Sequence, residues 1–216
     1  MPALSHHIPS VRWSASGPWQ PRPQTWGPLL GGLALFGLGE GLLVDSRLGA
    51  SPWTVFAEGV SRHLHLSLGL TTALISGVVL LAWWPLRERP GLGTVANLVV
   101  IALVLQVTVS WIHPASTIPV RGLFVVAGVT VIGLGSALYL TCRMGPGPRD
   151  GLMTSLHRRW GVSVVYVRAG LEVSVLTMGW LLGGVAGVGT ALFAGGIGVA
   201  LGLALRLIDR WAGLSA

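Results

Sequence analysis

The sequence predicts an all-α membrane protein of six transmembrane helices, built as two inverted three-helix repeats that each carry a short amphipathic or re-entrant helix. Three observations lead there: a composition too apolar for water, six apolar runs of spanning length, and one fixed offset at which the first half of the chain recurs in the second. Only 10% of the 216 residues are charged, 52% are hydrophobic and the mean hydropathy is +0.72, against about 25% charge in a soluble domain. The 32 glycines fit the same solvent, because helices in lipid gain little from apolar burial and associate through small residues that let backbones approach.

The apolar runs cover residues 27–44, 66–84, 91–111, 123–141, 162–184 and 188–208, and a hydrocarbon core about 30 Å thick takes about 20 helical residues to cross. Ahead of them, residues 1–26 hold five prolines, three tryptophans and no apolar stretch of the kind a cleavable signal needs; the segment reads as an irregular, mobile tail. Between the first two spans, Ser51-Pro52 places an N-capping hydroxyl before proline at the first helical position. It opens a helix too short to span, with Trp53, Phe56, Val60 and Leu64 as its apolar stripe. Residues 113–122 link the two three-helix units, 27–112 and 123–208, and residues 209–216 form a C-terminal tail.

Orientation follows from arginine. Arg12, Arg22, Arg87, Arg89, Arg143, Arg149, Arg158, Arg159, Arg206 and Arg210 fall on one side of the spans, and only Arg47, Arg62 and Arg121 on the other. The positive-inside rule then places both termini and the 142–161 loop in the cytoplasm of a bacterial cell, in a multi-pass protein of the cytoplasmic membrane.

The internal repeat has a single offset of 96 residues. Gly37-Leu38-Gly39 recurs as Gly133-Leu134-Gly135; Arg47, Gly49 and Pro52 as Arg143, Gly145 and Pro148; Gly91-Leu92-Gly93-Thr94 as Gly187-Val188-Gly189-Thr190. The short stripe returns as Arg149, Leu152, Leu156 and Trp160. Each unit has three spans, an odd number, so the second unit enters the membrane from the opposite face.

At these motifs the chain resembles the YczE/YyaS/YitT-like family of bacterial membrane proteins, from about Gly27 to Ile208. The resemblance rests on Gly145 to Met153, on Val167-Arg168 with Glu172, on Gly179-Trp180 and Gly187 to Thr190, and in the first half on Gly49 to Trp53 and Gly91 to Thr94 with Asn97. It implies a six-span inner-membrane protein and a transporter of unstated substrate. Two departures stand out: Gln106 where the resemblance leads us to expect an acidic residue, and no proline after Ile197-Gly198.

An ionisable side chain near the bilayer centre costs about 2.5–3.5 kcal/mol on insertion scales, so it normally faces the bundle interior and has a partner. Glu172 lies ten residues into the fifth span, roughly 15 Å deep at 1.5 Å per residue, and is the leading candidate for a substrate or ion site. Arg168 precedes it by four residues on the same helical face, the spacing of an ion pair. Glu40, near the outer end of the first span, is expected either to pair with Arg168 or to reach interfacial water. Arg149 and Asp150 open the second short helix, whose unpaired N–H groups suit an anion, although Asp150 could equally cap its own helix. Asn97 and Gln106 in the third span are second-tier candidates that could instead bond between helices.

The single cysteine, Cys142, excludes an intramolecular disulfide. The six histidines, His6, His7, His63, His65, His113 and His157, are scattered rather than set at metal-ligand spacing. No Ser-His-Asp set, no paired carboxylates held away from water and no HExxH motif is present, so no enzyme, cofactor or metal is expected, and the basic charge in loops is an orientation signal rather than a nucleic-acid surface. The expected partners are membrane lipids and a small-molecule substrate, with the glycine-rich helix faces leaving room for a homo-oligomer. The sequence thus points to a transporter with a central site between its halves, or alternatively to an accessory membrane protein that scaffolds or regulates a biosynthetic partner through its 142–161 loop.

Overall fold

The computed structural model describes residues 9–213, and among them every regular element beyond isolated turns and one bridge is helical. Six helices are long and apolar enough to cross a membrane: α1 (Trp26–Ser46), α3 (Leu68–Leu86), α4 (Leu92–Trp111), α5 (Ile118–Thr141), α7 (Val164–Leu181) and α8 (Val188–Gly213). Two short ones, α2 (Pro52–Leu64) and α6 (Pro148–Trp160), follow the first span of each half. The ends obey local chemistry. Pro52 and Pro148 take the first helical position, where a missing N–H costs nothing. The Thr94 and Thr190 hydroxyls accept from Gly91 N and Gly187 N at 3.1 and 3.3 Å, closing the first turns of α4 and α8.

The repeat is written into the backbone. Arg47, Gly49, His65 and Arg87 take positive φ of 56°, 111°, 54° and 54°, and the residues 96 later, Arg143, Gly145, Gly161 and Gly183, take 55°, 103°, 67° and 84°. Hydrogen bonds between the halves repeat as well: Gly93 N donates to Met144 O at 2.8 Å, and Gly189 N to Leu48 O at 2.7 Å.

α1 and α5 form the central pair, joined by glycine. A Cβ on Gly32 would stand 2.7 Å from Gly135 O and one on Gly135 2.5 Å from Gly32 O; Gly39 and Gly128 relate in the same reciprocal way, at 2.7 and 2.9 Å. Around this pair α4 packs on α1 and α8 on α5, while the short helices cross over: α2 lies against α7 and α6 against α3. Small residues decide which face of α2 is packed. Gly59 meets Gly179 of α7, with Val55 and Ala57 buried beside it, whereas the expected stripe of Trp53, Phe56 and Val60 is half-buried and Leu64 is exposed. In α6 the packed residues are likewise Gly151 and Ser155 rather than Leu152 and Leu156, because Gly151 lies under the Trp83 ring.

One pair breaks the pattern. α3 and α4 pack along each other, but α7 and α8 scarcely touch. Gly69 lets α3 approach Ala102 O, to which its Cβ would stand 2.6 Å away; the residue 96 later is Val165, which carries a branched side chain and lies 68% exposed. Gly195 and Gly198 of α8 consequently face open space, while Gly133 packs on Ala200 between α5 and α8.

The N-terminal segment is irregular, and its described part is hydrogen-bonded to the bundle. Trp13 Nε1 donates to Thr141 Oγ1 at 3.1 Å, Ser14 Oγ to Thr141 O at 2.7 Å and Trp19 Nε1 to Pro90 O at 3.0 Å. Its indoles and serine satisfy groups at the ends of α5 and α4, and Val11 and Trp13 join the core. α5 begins five residues earlier than the sequence suggested and α8 runs five residues longer, since Ile118-Pro119 and the turn around Arg210 continue helices whose apolar runs are shorter.

Replacing Gly39 by alanine, with its Cβ 2.6 Å from Ile132 Cγ1 and 2.7 Å from Gly128 O, is expected to cost about 1–3 kcal/mol. Gly31→Ala, with nothing within 4 Å of the new atom, is expected to leave the apparent melting temperature in detergent unchanged or slightly raised. Thermal denaturation followed by size-exclusion chromatography separates the two.

Candidate functional site

A cavity of about 200 Å³ lies at the middle of the bundle and takes lining residues from all eight helices. Its lining repeats at the offset of 96: Phe36 with Ile132, Glu40 with Ser136, Ser51 with Gly147, Pro52 with Pro148, Trp53 with Arg149, Thr72 with Arg168, Ser76 with Glu172, Asn97 with Phe193 and Ile101 with Ile197 all contribute both members. Of the seven residues singled out from the sequence, six line it: Glu40, Asn97, Arg149, Asp150, Arg168 and Glu172.

Glu40 is 2% exposed and sits at the N-terminus of α2. Ser51 Oγ lies 2.8 and 2.9 Å from its two carboxylate oxygens, and Thr54 donates to Oε2 at 2.8 Å. Ser51 is the N-cap and Thr54 the third helical residue, so both hydroxyls project from the first turn, where the helix dipole favours a negative charge. Ser51 therefore serves Glu40 and makes no cap bond to its own helix. The expected pairing of Glu40 with Arg168, or with interfacial water, is corrected: the carboxylate turns inward and takes hydroxyl donors.

Arg149 stands over the ring of Trp53, its guanidinium carbon 5.2 Å from the centroid. The two residues are equivalent positions of the repeat, meeting across the cavity. Glu40, Asp150, Tyr139 and Glu172 lie within electrostatic reach of the guanidinium, yet among the described residues it forms neither an ion pair nor a hydrogen bond. Asp150 is occupied otherwise, accepting from Tyr139 Oη at 2.8 Å.

Arg168 Nε donates to Glu172 Oε1 at 2.8 Å, the (i, i+4) pair expected from spacing, with side chains 47% and 26% exposed. The pair lines the cavity from α7, which scarcely touches α8. Gln106 is outside the site. Its Oε1 accepts from Gly69 N at 2.9 Å, a bond that fastens α3 to α4, and its Nε2 donates to Ser110 of its own helix at 3.0 Å.

Sequence reading missed the hydroxyl residues Ser51, Thr54, Thr72, Ser76, Ser136 and Tyr139, and the indole of Trp53. The signal for four of them was present: the offset of 96 applied to Glu40, Arg149, Arg168 and Glu172 lands on Ser136, Trp53, Thr72 and Ser76. Among the described residues no group of three His, Cys, Asp or Glu could hold a metal. His63 and His157 bond backbone carbonyls, Gly59 O and Val162 O; His6 and His7 lie outside the described residues.

Residues 24–206 match the model of a family of unknown function, DUF6198. The chain belongs to this family. An uncharacterised protein of Haemophilus influenzae is 43% identical over 203 residues, 94% of this chain and 93% of that protein. The uncharacterised membrane protein YczE of Bacillus subtilis is 32% identical over 185 residues, covering 84% of this chain and 83% of YczE. The uncharacterised protein YyaS of the same species is 27% identical over 184 residues, 83% of this chain and 91% of YyaS. The family resemblance read from the motifs is thus borne out, and with six spans this DUF6198 member is a multi-pass membrane protein. No solved structure matches it.

Removing one of its two hydroxyl donors leaves the buried Glu40 carboxylate less fully satisfied. Ser51→Ala and Thr54→Val are each expected to lower stability by about 1–3 kcal/mol, and Glu40→Gln in the Ser51→Ala background to restore part of the loss. Thermal melts of the four proteins in detergent check this; equal melts for wild type and Ser51→Ala would show that the hydroxyl contributes nothing to the carboxylate.

Proposed function

We propose that this protein is a small-molecule transporter of the bacterial cytoplasmic membrane, with both termini inside and a central site between two inverted repeats. The observation that carries the reading is the cavity itself: it is lined by paired positions of the repeat and gathers three carboxylates and two guanidinium groups from three helices, α1, α6 and α7. Inverted repeats about a midplane site are the architecture of alternating access, and ionisable groups are retained at such depth where a pathway needs them.

In this reading α2 and α6 are re-entrant. Their N-terminal residues reach the cavity while Leu64 and Trp160 at their far ends are 58% and 62% exposed. Each short helix then moves with the opposite half, α2 with α7 and α6 with α3, which gives rocking of the halves a direct grip on the site. The accessory-protein reading loses its main support, because the 142–161 segment is not a free loop: α6 packs on α3, Trp83 Nε1 donates to Pro148 O at 3.1 Å, and Arg158 and Ser155 both engage Glu88.

Access can be tested without knowing the substrate. Ser76 and Ser136 line the cavity and are each 7% exposed. The native Cys142 is a silent background, since it is fully buried and burial pushes its thiol up to about 12. In right-side-out and inside-out vesicles, Ser76→Cys and Ser136→Cys are expected to react with small impermeant methanethiosulfonates from both faces. Reaction from one face only, at both positions, would overturn the transporter reading and leave a closed or one-sided vestibule.

A further inference from the structure

We propose that the central site takes a lipophilic organic monocation, an amine or quaternary ammonium on an apolar body. This assignment rests on the transporter reading above and adds a substrate class to it. The first argument is charge. Glu40, Asp150 and Glu172 share the cavity with Arg149 and Arg168, so with all five ionised the site carries one net negative charge, inside a chain of net charge +7. The acidic excess is local and runs against the whole molecule. Net charge in a low-dielectric space is costly until it is compensated; a monocation neutralises the cavity, whereas an anion doubles its charge.

The second argument is the surface offered to that cation. Trp53 already carries a cation over its ring in Arg149, and Phe36, Tyr139 and Phe193 complete an aromatic lining. Carboxylates behind aromatic faces form the arrangement that selects ammonium groups. Thr72 supplies an independent sign of a missing occupant: it is 3% exposed, lines the cavity, and its Oγ1 has no hydrogen-bond partner. A bare hydroxyl oxygen there is a further electronegative atom for a cation, satisfied once the site is filled.

The third argument concerns the body of the ligand and its route. Aliphatic side chains make up much of the remaining lining, with Ile101, Ile132, Ile197 and Leu201 prominent beside Ser76, Asn97 and Ser136. Arg168 and Glu172 are partly exposed on α7, which scarcely touches α8. A ligand with an apolar body can enter from the bilayer between these two helices, and the exposed ion pair is the first polar group it meets.

The test uses the purified full-length protein in detergent and two permanently charged probes of similar size, phenyltrimethylammonium and benzenesulfonate, read by quenching of tryptophan fluorescence and by thermal shift. The expected result is saturable binding of the ammonium and none of the sulfonate. Glu40→Gln and Asp150→Asn are each expected to weaken ammonium binding at least about tenfold, while Arg149→Gln leaves it equal or tighter. Preference for benzenesulfonate, or equal ammonium binding by wild type and both carboxylate variants, would overturn the assignment. The wild-type comparison of the two probes needs no variant to fold. If neither probe binds while Ser76→Cys and Ser136→Cys still react from both faces, the cation assignment fails and the transporter reading stands; one-sided reaction defeats the transporter reading whatever the probes do.

Discussion

The rest of the structure depends on the backbone-to-backbone contact of α1 with α5. Gly32 against Gly135 and Gly39 against Gly128 bring two spans closer than any side chain would allow, and because each contact is the other's repeat, the pair sets the relation between the halves in one stroke. Dispersion across such a seam is collectively large, and it needs no apolar burial from water, which lipid does not provide. α4 and α8 then fall into equivalent grooves, Gly37 receiving α4 near Ile101 as Gly133 receives α8 near Ala200. With the four inner helices placed, the first turns of α2 and α6 have one space left to fill, and they meet there as Trp53 and Arg149.

What the sequence made legible is what one-dimensional pattern controls. Span number and length follow from hydropathy because the bilayer is a slab of fixed thickness. The repeat was legible because Arg47, Gly49 and Pro52 with their counterparts mark turns whose geometry, as the matched positive φ values show, few other residues serve so well. The Arg168–Glu172 pair was legible because the helix itself sets that distance. The partner of Glu40 was not. A serine before proline reads as a cap for its own helix, and only the fold brings a carboxylate from the preceding span to compete for that hydroxyl. For Gln106 the alternative of bonding between helices was legible, but its partner, the backbone N–H of Gly69, is unavailable to any one-dimensional pattern. The separation of α7 from α8 was equally hidden, with Gly69 and Val165 at equivalent positions of a repeat that otherwise agrees.

A symmetric frame with an asymmetric filling recurs through the site. At equivalent positions the first half presents Glu40, Trp53, Thr72 and Ser76, and the second Ser136, Arg149, Arg168 and Glu172. The backbone keeps the pairing while the chemistry diverges, so that each of these charged groups has a neutral residue at the equivalent position.

The crossing of the short helices carries a consequence for how the chain is made. α2 ends at Leu64 and its packing partner α7 begins at Val164, so about 100 residues of synthesis separate them, roughly 5–20 s at ~5–20 residues per second. Throughout that interval the Gly59 face of α2 has no α7 to cover it. α6 has no such wait, because α3 is already in place when it emerges. The nascent first half is therefore an unfinished object at the translocon, and the last steps of assembly belong to the fifth and sixth spans: a chain that reads as two equal repeats is, in time, a host followed by the guest that completes it.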